Sequence, residues 1–382
     1  MNTLKLLIDG QMRDAKGQKT FTRINPITGE VASVAAAAQS ADVQAALESA
    51  EKAFQTWSKL GPTERRLRLL KAADIMDQRA EEFVLTARQE TGSTNSWYGF
   101  NVHLSANILR EAAAMTTQID GSIIPTDLPG SISMGVRTPC GVVLSIAPWN
   151  APVILATRAI AMPLACGNTV ILKASEMCPA THTLIGEVLN DAGIGPGVVN
   201  VITNAPEDAG AVVEQLIAHP AVKRINFTGS TKVGKIIATT SAKYLKPALL
   251  ELGGKAPVIV CEDADLEQAV AGVAFGAFFN QGQICMSTER LIVSNKIADQ
   301  FLEKLVTKIK TIKVGSPDLE DTTFAYLESA QSVQRIRELV EDAVSKGATL
   351  PVPMTTDGAL MHPLIINGIT PEMKLYAQES FG

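Results

Sequence analysis

Apolar residues recur at helical spacing through the early part of the chain. Val43, Leu47, Ala50 and Phe54 step by three or four, as do Leu69, Ala73, Met76, Ala80, Phe83 and Ala87, so each set lines one helix face. On this pattern the first third reads as helical. Residues 121–138 change character, with Gly, Pro and Ser separating short extended runs, which predicts a protruding β-arm. From Gly141 the pattern alternates. Apolar runs at 142–147, 169–173, 198–202, 224–227 and 248–250 have helical segments between them, the signature of βαβ units and a parallel sheet. A second such pattern starts near Pro257, with a helix at 266–280, a strand at 290–293 and a helix at 297–312. Residues 322–368 carry a weaker signal apart from a helix at 333–346, and the chain shows no internal repeat or low-complexity tract.

Composition narrows the class. A chain of 382 residues is too long for one small core and fits two domains. Its 46% hydrophobic and 19% charged content is that of a soluble globular protein. The net charge of −5, with no dominant Lys/Arg cluster, argues against nucleic acid as a partner. The densest basic stretch, Arg65-Arg66-Leu67-Arg68, follows Glu64 and reads as a mixed-charge helix face. The N-terminal apolar run is too short for a signal peptide. The most apolar stretch, 153–166, is interrupted by Arg158 and Pro163, so no membrane span is expected. Five cysteines, an odd number without a pairing pattern, point to a reducing compartment, the cytoplasm. The four histidines lack metal-ligand spacing, and no metal site is expected.

Candidate chemistry centres on Cys285, which follows Phe279-Asn280-Gln281-Gly282-Gln283-Ile284. A glycine and two glutamines are poor core composition, whereas Cys140, Cys166, Cys178 and Cys261 fit the usual small buried hydrophobe. Glu251 opens Glu251-Leu252-Gly253-Gly254-Lys255 upstream. A thiolate attacks a carbonyl carbon and a carboxylate activates water to release the acyl group, the inventory for covalent catalysis on an aldehyde or ester. Taken alone, Glu251 reads as an exposed strand-end carboxylate. Asn150, in Pro148-Trp149-Asn150, can cap the helix that follows, donate to an oxyanion, or both. Gly229-Ser230-Thr231-Lys232-Val233-Gly234 opens a helix after a strand, where backbone N–H groups and the helix dipole favour a pyrophosphate. It lacks the G-x-G-x-x-G spacing. With Lys235 it fits G-x-x-x-x-G-K, but Ile236 replaces the magnesium-binding hydroxyl of an ATPase loop. Lys173 and Glu176 end another strand and alone read as solvated loop charges.

These motifs, with Glu379-Ser380-Phe381-Gly382, resemble the aldehyde dehydrogenase superfamily from about Leu7 onward. The resemblance implies an α/β, two-domain fold. A Rossmann-type NAD-binding domain would span 1–118 and 140–250, an oligomerisation β-arm 119–139, and an α/β catalytic domain 251–382. It implies Cys285 as nucleophile, Asn150 and the Cys285 N–H as oxyanion donors, and Glu251 as the base that yields a free acid rather than a coenzyme A ester. Cofactor contacts carried over are Ile146, Pro148, Trp149, Lys173, Glu176, Phe227, Gly229, Ser230, Gly234, Leu252, Glu379 and Phe381. Among them Lys173 and Glu176 face the adenosine ribose, and a carboxylate there repels a 2′-phosphate, so NAD is expected over NADP. In the family the final motif continues into a segment that completes the catalytic domain. A truncated chain is therefore expected, with a homodimer or homotetramer when full length. Residues 97–107, 110–114 and 281–290, with Arg158, look like the salicylaldehyde, benzaldehyde and vanillin dehydrogenase branch. Small Ala151 leaves room for a ring, Arg158 meets a ring substituent or forms an interhelical salt bridge, and Trp97 is core or pocket wall. An aliphatic or broad-range enzyme and a non-catalytic relative are the alternatives.

Overall fold

The computed structural model describes residues 3–382. The chain divides into two compact units. The first holds the described residues up to Arg23, Ser33–Phe83 and Gly99–Glu251, and the second holds Ile24–Ala32, Val84–Tyr98 and Leu252–Gly382. Segments 24–32 and 84–98, which the sequence division left with the first domain, thus lie in the second unit.

The chain opens with four short strands, β1 (Leu6–Ile8), β2 (Gln11–Arg13), β3 (Thr20–Ile24) and β4 (Val31–Ala36). The expectation of an all-helical first third is corrected here: β1 and β2 have three residues each, too short to show a period, and β3 and β4 bury polar Arg23 and Ser33, so their apolar residues do not alternate. Helices α1 (Ser40–Trp57), α2 (Pro62–Gln78), α3 (Ala80–Thr91) and α4 (Asn95–Met115) follow. Val43, Leu47 and Ala50 on α1 and Leu69, Ala73 and Met76 on α2 are fully buried, as their spacing predicts. The longer run does not form one helix, because Arg79 leaves helical geometry between α2 and α3. Strands β5 (Ser122–Ile124) and β6 (Ser133–Gly135) then form an antiparallel hairpin, the expected β-arm.

The remainder of the first unit alternates: β7 (Val142–Ile146), α5 (Pro152–Ala165), β8 (Thr169–Lys173), α6 (Pro179–Asp191), β9 (Val199–Ile202), α7 (Ala209–Ala218), β10 (Val222–Gly229), α8 (Thr231–Lys243) and β11 (Ala248–Leu252). The sheet order is β11-β10-β7-β8-β9-β1-β2. β7 is parallel to both β8 and β10, and β8 to β9, while β1 lies antiparallel to β9 and β2. Every residue of β7, β8 and β9 is buried, as expected for strands covered on both faces, which accounts for continuous apolar runs rather than alternation. Progress from β7 through β8 to β9 moves one way across the sheet, and β10 then joins the other edge of β7. That reversal makes the carboxyl ends of β7 and β10 the switch point of the sheet, the place where ligands of open parallel sheets bind.

In the second unit β12 (Pro257–Val260) pairs in parallel with β13 (Arg290–Val293), and α9 (Leu266–Phe278) and α10 (Ala298–Ile309) surround a core of Val260, Val270, Val273, Phe301 and Leu305. α11 (Ala330–Ser345) packs Val333, Ile336 and Val340 with Leu327 and Met361. A two-stranded pair, β14 (Thr356–Asp357) and β15 (Leu360–Met361), and a short α12 (Lys374–Ala377) complete it. Among the described residues no helix is long and apolar enough to cross a membrane.

Candidate active site

In the first unit, strand register assembles the carboxyl edge. Ile146 lies opposite both Lys173 and Phe227, and Lys173 lies opposite Ile202, so the ends of four parallel strands stand abreast. Beyond β7, half-buried Pro148 and Trp149 lead to buried Asn150 and Ala151. The first residue of α5 is Pro152 and its N-cap is Ala151, so Asn150 is not the helix cap that the sequence allowed. Pro152 needs no cap for its own nitrogen, and its fixed φ starts the helix one residue later.

Beyond β8, Lys173 is buried and ion-paired with Glu176. These are not solvated loop charges. Asn204, just past β9, donates from Nδ2 to Glu176 Oε1 at 2.9 Å. Fully buried His182 of α6 accepts the Ser175 N–H on Nδ1 at 3.1 Å and bonds the backbone of Pro152. Burial first, and then the Lys173 ammonium, push its pKa down to about 3, so the imidazole stays neutral and ties the β8 loop to the start of α5. Beyond β10, Ser230 caps α8 by accepting the Val233 N–H at 3.3 Å, and Gly234 is buried in the helix. A side chain at Gly229 would meet the Phe227 ring at 2.6 Å, so this turn needs glycine. Arg158 is exposed. It donates to Thr228 Oγ1 at 3.3 Å and forms no ion pair among the described residues, which corrects the salt-bridge reading.

In the second unit, Cys285 sits exposed on a turn. Asn280, Gln281 and Gly282 precede it with φ of 50°, 56° and 75°. Asn and Gly accept this left-handed backbone cheaply, while Gln does not, so the run holds strain of the kind found at functional sites. Buried polar contacts hold it. Ser93 Oγ can donate to Asn280 Oδ1 (2.6 Å) or Gln281 Oε1 (2.9 Å). Gln283 Oε1 accepts the Glu328 N–H at 3.1 Å, and Ser287 Oγ donates to the Gly282 carbonyl at 3.0 Å. Trp97 is buried and packs edge-on to Phe279 with centroids 5.0 Å apart, so it supports the end of α9 as core. Of the four cysteines read as buried hydrophobes only Cys178 is buried; Cys140, Cys166 and Cys261 are exposed.

The Glu379–Phe381 segment is anchored by a residue that sequence reasoning missed. The Glu289 carboxylate accepts from Lys255 Nζ (2.6 Å), the Ser380 N–H (2.9 Å) and hydroxyl (2.7 Å), and the Phe381 N–H (2.9 Å). Burial alone would push this carboxyl up, but these donors outweigh it and hold it below the ordinary carboxylate range. Glu379 accepts the Gly254 N–H at 3.3 Å, and a side chain at Gly253 would meet its carboxylate at 2.2 Å. Burial and the neighbouring Glu289 raise the Glu379 carboxyl despite that bond. Glu251 is exposed on β11 and Leu252 half-buried. Asn204, Ser93 and Glu289 escaped the sequence reading because each acts through partners far away in the chain, and His182 because its bond to the Ser175 N–H depends on how the loop after β8 folds back on α6. The only local signal was a polar residue beside an apolar run.

The first unit thus carries a doubly wound sheet with a glycine turn at its switch point, and the second an exposed thiol beside a strained run. Residues 12–382 match the aldehyde dehydrogenase family, and the chain belongs to it. It is 58% identical over 382 residues to vanillin dehydrogenase of Pseudomonas fluorescens, covering 100% of this chain and 79% of that relative. It is 46% identical over 379 residues to salicylaldehyde dehydrogenase of Pseudomonas putida, covering 99% and 78%. A crystal structure of a salicylaldehyde dehydrogenase from Pseudomonas putida G7, complexed with salicylaldehyde, superposes with a TM-score of 0.98 at 45% identity, covering 100% and 79%.

The family works with a nicotinamide cofactor, and the first unit's carboxyl edge suits one. Glu176 Oε1 carries both protein bonds, which leaves Oε2 without a partner among the described residues. That oxygen can accept a ribose hydroxyl. The bare Gly229 turn and the α8 N-terminus offer backbone N–H groups to a pyrophosphate.

Proposed function

We propose that this protein oxidises an aromatic aldehyde to the carboxylic acid with NAD. The observation that carries the reading is Cys285: an exposed thiol that follows a left-handed run, residues 280–282, whose members are buried. The Cys285 thiolate adds to the carbonyl carbon, a C–S bond forms, and the carbonyl electron pair moves to oxygen. The Asn150 amide and the Cys285 N–H stabilise that oxyanion. A bound nicotinamide would supply the two-electron acceptor for the adduct's C–H, lost as hydride while the oxyanion pair re-forms the carbonyl, which leaves the thioester on Cys285. Glu251 then takes a proton from water, which attacks the thioester carbon and breaks the C–S bond. The acid leaves and the thiol is restored. In this reading Ile146, Pro148, Trp149, Phe227, Gly229, Ser230, Gly234 and Leu252 bed the cofactor, with Lys173 and Glu176 on one ribose and Glu379 and Phe381 towards the other.

The names of the relatives support an aromatic substrate, and small Ala151 leaves room for a ring. Arg158 is an exposed cation bonded to Thr228 among the described residues, and its guanidinium can meet a ring substituent. We read the first unit as the dinucleotide-binding part and the second as the catalytic part. We place the enzyme in the cytoplasm on its five unpaired cysteines. We read the β5–β6 hairpin as its self-association arm, forming a dimer or tetramer. The test is a comparison of kcat/KM for vanillin, salicylaldehyde and acetaldehyde with NAD. The two aromatic aldehydes should lead, and a preference for acetaldehyde would favour the aliphatic alternative.

A further inference from the structure

The Glu176 carboxylate is fixed from one side only. Both protein bonds, from the Lys173 ammonium and the Asn204 amide, end on Oε1, and Oε2 has no partner among the described residues. The two donors differ in what they can fix. Lys173 is a point charge, so its attraction does not fix the plane in which the carboxylate lies. Asn204 is short, completely buried, and anchored a second time by donating to the Ala205 carbonyl at 2.8 Å. Both neighbours of its Nδ2 are acceptors, so reversing the amide would set oxygen against two oxygens, and chemistry alone assigns its orientation. The consequence is a cost: Asn204 Oδ1 is buried with no hydrogen-bond partner among the described residues. An apolar residue of the same shape would avoid that cost. The side chain is therefore explained by what it does to Glu176, not by what it does for the fold.

We propose that Asn204 is a positioning residue for cofactor discrimination: it locks Glu176 so that Oε2 presents a fixed negative acceptor to the ribose. This rests on the ribose role given to Glu176 above. A free 2′-hydroxyl finds an acceptor already in place, so little freedom is lost on binding. A 2′-phosphate meets a carboxylate that cannot turn away. Once Asn204 no longer holds it, Glu176 can swing with Lys173. The acceptor is then less well placed for NAD, and the repulsion of NADP relaxes at the same time.

The experiment measures the dissociation constants of NAD and NADP by titration calorimetry, for wild type, Asn204→Leu, Glu176→Gln and the double variant. Asn204→Leu should reduce the NADP-to-NAD ratio of dissociation constants about tenfold, the scale of one charge-assisted hydrogen bond. Its thermal midpoint should be unchanged or raised, because the orphan acceptor is gone. In the Glu176→Gln background the same substitution should have no further effect. Asn204→Ser, too short to reach Glu176, gives the same reading if the leucine variant does not fold. If Glu176→Gln collapses the ratio and neither Asn204 variant moves it, the positioning role is overturned while the ribose role stands. An Asn204 effect that is equal in both backgrounds also overturns it. If Glu176→Gln itself leaves the ratio unchanged, the ribose role fails, and the inference with it.

Discussion

Glu289 gathers more of the second unit's polar chemistry than any residue singled out by motif. Its carboxylate holds Lys255, Ser380 and Phe381, and both its side chain and that of Lys255 are largely buried. Removing the charge strands a buried ammonium and frees two backbone donors, so Glu289→Gln should cost about 3 kcal/mol. The pH dependence has a definite sign. The folded pKa lies below the ordinary value of about 4.3, so the stabilisation is full above that value and is lost as the pH falls through the folded pKa. The gap in urea midpoint between wild type and Glu289→Gln should therefore be widest near neutrality and narrow in acid. A gap that is constant with pH would remove the charge from the explanation.

At the scale of elements, the crossing of Gly253 and Glu379 is a tight backbone approach. An added methyl would lie 2.2 Å from a carboxylate oxygen, so Gly253→Ala must displace Glu379. With Glu379 serving the cofactor, the dissociation constant for NAD should rise about tenfold, one hydrogen bond's worth. The thermal midpoint should change little, and an unchanged affinity would argue that Glu379 does not serve the cofactor. The parallel strands were legible because burial on both faces writes them as unbroken apolar runs; 169–173 and 290–293 match β8 and β13 residue for residue. The opening strands were not legible, since β1 and β2 are three residues long and β3 and β4 place Arg23 and Ser33 at buried positions. The break at Arg79 was hidden because the apolar spacing continues through it. Cys285 itself was legible from the glycine and glutamines before it, but the left-handed run that cuts the helix expected to 280 was not, nor was Ser93, which holds that run from 187 and 188 residues away.

Across the whole molecule, the chain enters the second unit three times, at Ile24–Ala32, Val84–Tyr98 and from Leu252. Ser93 and Trp97, which steady the thiol's turn, belong to the second of these visits, so residues 252–382 alone lack part of what holds Cys285. The β5–β6 hairpin exposes Ile123 and Ile132 at 81% and 77%, an apolar face of the kind that seeks a partner. Ile123→Lys with Ile132→Lys should shift sedimentation towards the monomer, and an unchanged profile would remove the hairpin from self-association. The central claim is that Cys285 carries the substrate as a thioester which Glu251 releases. It is tested most directly by the intact mass of the Glu251→Gln variant after mixing with vanillin and NAD. A mass increase equal to one vanilloyl group, mapped to Cys285 and absent in the Glu251→Gln, Cys285→Ala double variant, is the predicted result. Undiminished turnover by that variant, with no adduct at any time, would contradict it.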